Sequence, residues 1–453
     1  MDLTNKYVLI AGCGISGIGS AELLYKIGAK PILFDTNEKL TKEEVLKKIP
    51  QGIEAEIAIA TVEKELEDQI ALVVLSPGVP IDADFVEEYR KKGLPIWGEV
   101  ELAYRYSKGG IVAITGTNGK TTTTALVGRI MDDFFDDVYV VGNIGNAYTK
   151  EALKTTDDSV TVAEISSFQL ETIEKFNPHV CAILNITPDH LNRHHTMECY
   201  VEVKESISKN LTENDYVVLN FEDPYTREFG ENTDKNVIWF SSKQELWNGF
   251  YLKEDYIYKA TDGVSERLLN IHDTKLLGDH NMENIMAAMA ITDAYGVDMD
   301  SILFSVKTFK AVEHRIEYVA TKNGVDYYND SKGTNPDAAI KGIRAMTKPT
   351  FLIGGGYDKD STYDEWIQNF DGKVKKLLLI GQTKEKIAEC ARNNGFTEIV
   401  LADSLEEVMD ICQKEAMPGD AVLLSPACAS WGMFPNYEVR GKRFKELVME
   451  IRG

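Results

Sequence analysis

The stretch AITGTNGKTTTTAL, residues 113–126, decides how this chain folds. A β-branched run, GIVAIT from Gly110, feeds a tight turn containing two glycines, and a helix-forming stretch follows the Lys-Thr pair. The phosphate loop of the common nucleotide hydrolases places four residues between its glycines, whereas only Thr117 and Asn118 separate Gly116 from Gly119 here. The shortened turn keeps the essential chemistry. Its successive backbone N–H groups, together with the N-terminus of the next helix, form a nest for anionic oxygens. Lys120 reaches toward β- and γ-phosphates, and the Thr121 hydroxyl suits a magnesium ion.

Strand, glycine turn and helix recur on both sides of this loop. Upstream, KYVLIAGCGISGIGSAELLYKIGAKPILFDT gives a βαβ unit from Lys6 to Thr36, followed by the buried-strand pattern IALVVLSPGVP and a boundary near Gly98. Downstream, DSVTVAEISSFQLETI, PHVCAILNITPDHLNRHHT and DYVVLNFED continue the alternation through a second section. After the helical NMENIMAAMAITDAYG comes a third section, whose strands PTFLIGGGYDKD, KKLLLIGQT and GDAVLLSPACASW run into glycine- or serine-bearing loops. The pattern predicts three α/β units with largely parallel sheets. No internal repeat or low-complexity tract interrupts it.

Composition narrows the partners. At 453 residues and 43% hydrophobic, the chain has room for about three domains with packed cores. Its longest apolar runs, Ala71–Leu75 and Ala421–Leu424, fall far short of the roughly 20 residues of a membrane helix. The N-terminus lacks a basic start, long apolar stretch and cleavage site, so a cytoplasmic protein is expected. Six scattered cysteines form no CxxC pair, which argues against a zinc ribbon and a disulfide framework. A formal charge of −23 repels nucleic acid, and no Lys/Arg cluster offsets it. Phosphate and carboxylate ligands therefore require cations concentrated locally, as metal ions and a few placed lysines.

The first glycine loop, Gly12-Cys13-Gly14-Ile15-Ser16-Gly17, follows a strand, opens a helix and precedes Asp35 by 18 residues. Motif rules make this a dinucleotide fingerprint, with glycines approaching a diphosphate and the acid taking a ribose hydroxyl. The same glycines also suit plain helix–strand packing.

GTNGKTT resembles the shortened phosphate loop of the Mur ligases and their folylpolyglutamate synthetase relatives, and the resemblance extends along the chain. AEISSFQL, LNITPDHLNRH, GDHNMEN, EHRIE, NDSKGTNPDA and LLSPACASW occur in the family's order. DSKGTN and SPACASWGMF are most similar to the member that adds D-glutamate to UDP-N-acetylmuramoyl-L-alanine. The fold implied is α/β in three domains: a Rossmann-like N-terminal domain (1–98) for the UDP-substrate, a central P-loop-type ATP-binding domain with a mostly parallel sheet (99–311), and a Rossmann-like C-terminal domain for the amino acid (312–453). The implied reaction phosphorylates a carboxylate with ATP, so that an amine displaces phosphate from the acyl phosphate. It needs positive charge around crowded oxygens and no protein nucleophile.

The resemblance also assigns residues. Gly116, Thr117, Asn118, Gly119, Lys120, Thr121 and Thr122 cradle ATP, with Asn281 and Asn284 against the base and Arg315 and Asp330 toward the ribose. Two magnesium ions are implied, held by Thr121, Glu164, His190 and Lys204, the last as a carbamylated lysine. His194 and His195 carry no metal-demanding spacing and are read as loop residues; Asn192 stands where the family commonly has Asp. Ser16, Asp35, Thr36, Gly78 and Asn143 face the UDP-substrate. Lys332, Thr334, Lys359, Ser425 and Phe434 take the amino acid, Phe434 through its backbone; for Ser425 a strand-end cap is an equal alternative. Small-molecule partners, a monomer and closure of the domains on ligand binding complete the implied picture.

Two other classes stay open on the residues themselves. The Gly12 fingerprint alone fits an NAD-dependent oxidoreductase, and the Lys120 loop alone fits a nucleotide switch. Within the ligases, a folate-polyglutamating enzyme competes, although a separate UDP-type first domain is not expected of it.

Overall fold

The structure is a computed structural model that describes residues 1–276, 278–310, 312–359 and 361–451. Its described residues form two compact units, Met1–Ile271 with Glu283–Val306, and His272–Met282 with Lys307–Gly453. The expected boundary at residue 311 lies outside the described residues.

Two sheets build the first unit. The N-terminal sheet contains β1 (Tyr7–Ala11), β2 (Lys30–Asp35), β3 (Glu56–Ile59), β4 (Ile70–Leu75) and β5 (Ile96–Gly98), in the order β3-β2-β1-β4-β5 with every pairing parallel. Fully buried runs such as VLIA and LVVL explain this, because a parallel sheet covered on both faces needs apolar side chains pointing both ways. The central sheet comprises β6 (Gly110–Thr115), β7 (Val138–Gly142), β8 (Val160–Glu164), β9 (Val180–Ile183), β10 (Tyr216–Asn220), β11 (Asn236–Ser241), β12 (Gly249–Lys253), β13 (Tyr256–Thr261) and β14 (Val264–Asn270). Their order is β14-β13-β12-β11-β10-β9-β6-β8-β7. The strands from β7 to β12 are parallel, while β13 and β14 add an antiparallel extension.

The two sheets of this unit share one hydrophobic core that continues from Val8, Ile10 and Trp97 through Val100 and Leu102 to Ala113, Ile183 and Leu219. The short helix Glu99–Tyr104 is the joint. Glu101 is fully buried, and its carboxylate accepts the backbone N–H groups of Glu174, Lys175 and Phe176 at 2.8–3.0 Å as well as Nε of Arg105 at 2.6 Å. One acidic side chain thereby binds the start of the central section to the loop before β9.

The second unit holds β15 (Glu317–Lys322), β16 (Val325–Asn329), β17 (Thr350–Gly354), β18 (Val374–Leu379), β19 (Ile399–Leu401) and β20 (Ala421–Leu424), ordered β15-β16-β20-β17-β18-β19. Only β15 is antiparallel. Helix starts follow local chemistry: the Asn335 side chain caps Pro336–Arg344, whose proline occupies a position needing no amide hydrogen. No helix among the described residues is long and apolar enough to cross a membrane.

Candidate active site

In open parallel sheets, ligands gather at the carboxyl ends of the strands. In the central sheet, β6 lies between β8 and β9, pairing Ile114 with Glu164 and Thr115 with Ile183. Three loops therefore leave side by side: Gly116–Gly119, the segment after Glu164, and the segment running from Leu184 to His190.

The glycine loop is latched to its neighbour. Thr117 N–H donates to Asn185 O at 2.9 Å and Asn118 N–H to Asn185 Oδ1 at 2.8 Å, while Thr117 Oγ1 lies 3.1 Å from Thr187 O. Gly119 adopts φ 84°, and a Cβ there would sit 2.3 Å from Asn284 Oδ1, so both the turn and the packing demand glycine. Helix Lys120–Phe134 starts at this point, burying Thr122 and Thr123 and bringing Thr123 Oγ1 to 3.3 Å from Asn284 Oδ1. Thr121 is half-buried on the first turn.

Of four candidate ligands for phosphate and metal, two lysines touch this loop, and Glu164 and His190 lie on the segments leaving the two neighbouring strands. Lys120 Nζ donates to the carbonyls of Gly116 at 2.8 Å and Thr117 at 3.0 Å. Lys204 Nζ reaches the same Gly116 carbonyl at 3.0 Å from helix Met197–Glu205, which the Thr196 side chain caps. Burial, aided by the Lys120 charge, lowers the Lys204 pKa to about 7, so much of it is an uncharged amine near neutrality. The Glu164 carboxylate is buried: Oε1 accepts Asn143 Nδ2 at 2.7 Å, and Oε2 has no hydrogen-bond partner. A buried carboxylate oxygen without a donor is costly unless a cation meets it, so the donor set fits a divalent metal. His190 is exposed and left-handed at φ 53°, the type of backbone strain that collects at functional positions.

Other expected residues fall at the ends of the N-terminal sheet. Strand β1 runs into the Gly12 loop, β2 into Asp35 and Thr36, and β4 into Ser76-Pro77-Gly78. Asp35 accepts the backbone N–H groups of Cys13 at 3.1 Å and Asn37 at 3.0 Å, so it organises the loop beside any ligand role. A Cβ on Gly17 would lie 1.8 Å from Gly12 O, which gives that glycine a packing task. Ser16 is half-buried, and Thr36 and Gly78 are exposed. A cleft lined by Ser76, Pro77, Val79, Phe168 and Gln169 opens between this sheet and the segment after Glu164.

In the second unit β20 lies between β16 and β17, so the loops carrying Lys332, Lys359 and Ser425 again leave neighbouring strands. Ser425 is fully buried and its hydroxyl donates to Asp330 Oδ2 at 2.7 Å. Burial pushes the Asp330 carboxyl up to about 7, despite that hydrogen bond and the nearby Arg315. Arg315 is half-buried, Lys332 Nζ stands 5.8 Å from the Tyr437 ring centre, and Thr334 N–H donates to Lys332 O at 2.8 Å. Lys359 Nζ stands 5.2 Å from the exposed Trp431 ring. Phe434 N–H is turned to Ser430 O at 2.9 Å. Asn281, near the start of helix Asp279–Tyr295, is buried.

Several structural residues escape sequence reading. Buried Arg440 donates to Ser331 O at 2.8 Å and Cys428 O at 3.2 Å, tying the Lys332 loop to the Ser425 loop. His194 ends the helical turn Leu191–His194 rather than lying in a loop, is 4% exposed, and burial brings its pKa down to about 4. Neither sits in a spacing that marks it in the sequence; their partners are distant in the chain. The cluster Glu313, His314 and Glu317 looks metal-like, but Lys445 Nζ already pairs with both carboxylates.

These features define a class: a three-domain α/β protein built around a glycine-lysine-threonine loop for nucleotides. Family models match most of the chain, the Mur ligase MurD-like N-terminal domain at residues 6–98, the Mur ligase middle domain at 114–292 and the Mur ligase glutamate ligase domain at 314–428. The UDP-N-acetylmuramoylalanine--D-glutamate ligase of Lachnospira eligens is 60% identical, and that of Lachnoclostridium phytofermentans 54% identical, each over 100% of both chains. Among solved structures, a UDP-N-acetylmuramate-alanine ligase from Thermotoga maritima shares the fold with a TM-score of 0.61 at 19% identity, covering 99% of this chain and 100% of its own. The chain belongs to the Mur ligase family.

Proposed function

We propose that this protein joins D-glutamate to UDP-N-acetylmuramoyl-L-alanine at the expense of ATP, through an acyl phosphate, in peptidoglycan precursor synthesis. The observation that carries the reading is the buried Glu164 carboxylate, one oxygen bound to Asn143 and the other without a partner, at the end of the strand paired with the one that feeds the glycine loop, where two lysines converge on the Gly116 carbonyl. The names of relatives identical at up to 60% over full length support the choice of substrates.

The division of labour follows the three sheets. Residues 1–98 take the UDP-substrate through Ser16, Asp35, Thr36 and Gly78, with Asn143 joining from the central domain. Residues 99–311 take ATP. Residues 312–453 take D-glutamate through Lys332, Thr334, Lys359, Ser425 and the Phe434 backbone, with Arg315 and Asp330 serving the ribose.

Chemistry then follows from charge. The N-terminal amides of helix Lys120–Phe134, rather than those of Thr117 and Asn118 that Asn185 takes, bind the phosphates with the ammonium of Lys120 and balance the charge that builds as the terminal phosphoryl group moves to the substrate carboxylate. Glu164, His190, Thr121 and Lys204 would hold magnesium, which when bound polarises the phosphate oxygens. An ammonium at Lys204 repels cations, but its lowered pKa supplies the free amine that carbon dioxide needs to form a carbamate, a carboxylate-like ligand. Asn143 keeps Glu164 oriented, and the lysines of the C-terminal domain neutralise the two carboxylates of glutamate while its amine attacks. Phosphate leaves as the amide forms, and no protein nucleophile takes part.

The reading takes the enzyme as a cytoplasmic monomer, and sedimentation checks the oligomeric state. The activity is tested by phosphate release from ATP with UDP-N-acetylmuramoyl-L-alanine and, in turn, D-glutamate, L-glutamate, lysine or alanine. Release only with D-glutamate is expected; release indifferent to the amino acid would contradict the reading.

A further inference from the structure

His194 stands at the middle of a column of rings inside the first unit. Ring centroids are 4.9 Å apart for His190 and Phe168, 5.6 Å for Phe168 and His194, and 5.2 Å for His194 and Tyr200. The Arg193 guanidinium lies 4.9 Å from the Phe168 ring and Lys204 Nζ 4.7 Å from the Tyr200 ring, one at each side of the column. Its two ends are thus His190 and Lys204, from separate segments of the chain.

A polar thread crosses the column at its centre. His194 Nε2 lies 3.0 Å from Ser167 Oγ, and Nδ1 lies 3.4 Å from Glu171 Oε1. Arg193 Nε donates to that same Glu171 oxygen at 3.3 Å, and its Nη2 donates to Val79 O at 2.9 Å, in the turn after β4. Tyr200 Oη stands 3.1 Å from Thr117 Oγ1 in the glycine loop. The carboxylate beside Nδ1 selects the tautomer with its proton there, leaving Nε2 to accept the Ser167 hydroxyl. A ring held at both nitrogens and both faces is fixed in position.

Carboxylate, imidazole and hydroxyl in this order also occur in hydrolytic triads. Here Ser167 is 3% and His194 4% exposed, and Ser167 opens a helix whose capping box is formed by Ser166 and Gln169. No scissile carbonyl reaches such a hydroxyl, so the array serves to hold its surroundings.

We propose that His194 is a positioning residue for the ligation: wedged between Phe168 and Tyr200 and tied to Ser167 and Glu171, it fixes the His190 loop relative to the Lys204 helix and so sets the spacing at which the two receive a divalent cation. The proposal rests on reading His190 and Lys204 as metal ligands. The backbone agrees with it, since His194 N–H donates to His190 O at 3.1 Å and closes the strained turn in which His190 sits.

The test uses the full-length protein and manganese binding, read from the free-ion paramagnetic resonance signal with a non-hydrolysable ATP analogue present. His194→Phe keeps a ring and removes both nitrogens, Ser167→Ala removes the hydroxyl, and His195→Ala changes an exposed neighbour. Loss of such supporting contacts weakens metal binding by about 10- to 100-fold. His194→Phe is therefore expected to lose about tenfold in manganese affinity, Ser167→Ala a smaller factor, and His195→Ala none, with melting temperatures close to wild type. Activity should follow, with a higher magnesium requirement and a largely retained kcat at saturating metal. Wild-type manganese affinity in both His194→Phe and Ser167→Ala would overturn the proposal; if His194→Phe does not fold, Ser167→Ala decides alone. A wild-type protein that binds no manganese would remove the metal reading itself, a different failure.

Discussion

Glu164 shows how a single side chain can state its chemistry. Its unpartnered Oε2 is buried while Asn143 holds Oε1, an arrangement that Glu164→Gln preserves in shape and strips of charge. That variant should keep its melting temperature and lose about 100-fold or more in phosphate release, the scale seen when a charge-stabilising group is removed. Lys204→Ala should likewise be inactive, and a short carboxylic acid added in excess should restore part of the rate; full activity without rescue would exclude the carbamate. Asp330 predicts a pH effect on stability. Burial pushes its carboxyl from the ordinary 3.8 up to about 7, so between those values the folded state holds a proton that the unfolded state releases. The stabilisation is fully present below about pH 4 and is lost as pH rises toward 7, at up to about 1.4 kcal/mol per pH unit. Denaturant titrations should find that slope reduced in Asp330→Asn.

At the scale of elements, the sequence reveals what local rules force and hides what distant contacts decide. Gly119 was legible because a positive φ before Lys-Thr leaves little choice of residue, and Gly17 because the loop and helix nearly touch. The strand ending at Glu164 and the strand leading into Ser425 are legible as apolar runs with polar ends. Glu101 was not, because its three backbone partners lie more than 70 residues downstream and nothing near it in the chain announces them. The burial of His194 is hidden for the same reason: Ser167 and Glu171 come from another segment. The Glu101 bracket carries its own prediction. Glu101→Ala leaves Arg105 and three amides without their buried acceptor, and should destabilise the first unit by about 3–5 kcal/mol, read from denaturant unfolding.

For the whole molecule, alternation of strand and helix sufficed to foresee three α/β sections with mainly parallel sheets. The antiparallel extension β13–β14 is not legible in that alternation, since β11 to β14 follow one another with no helix between them. Nor does the sequence signal that the first two sheets share one core. The net charge of −23 has a consequence at this scale. It opposes the approach of UDP- and ATP-linked anions over distances where salt screens, about 10 Å at 0.1 M ionic strength. Stopped-flow association of the UDP-substrate should therefore speed up as salt rises from about 0.01 M to about 0.15 M; slowing would mean that the local lysines dominate the field. The central claim is that ATP activates the acceptor carboxylate before the amine adds. With UDP-N-acetylmuramoyl-L-alanine labelled by oxygen-18 in its carboxylate, one labelled oxygen should appear in the phosphate released with each amide formed. Phosphate released without label, alongside full amide formation, would contradict the account.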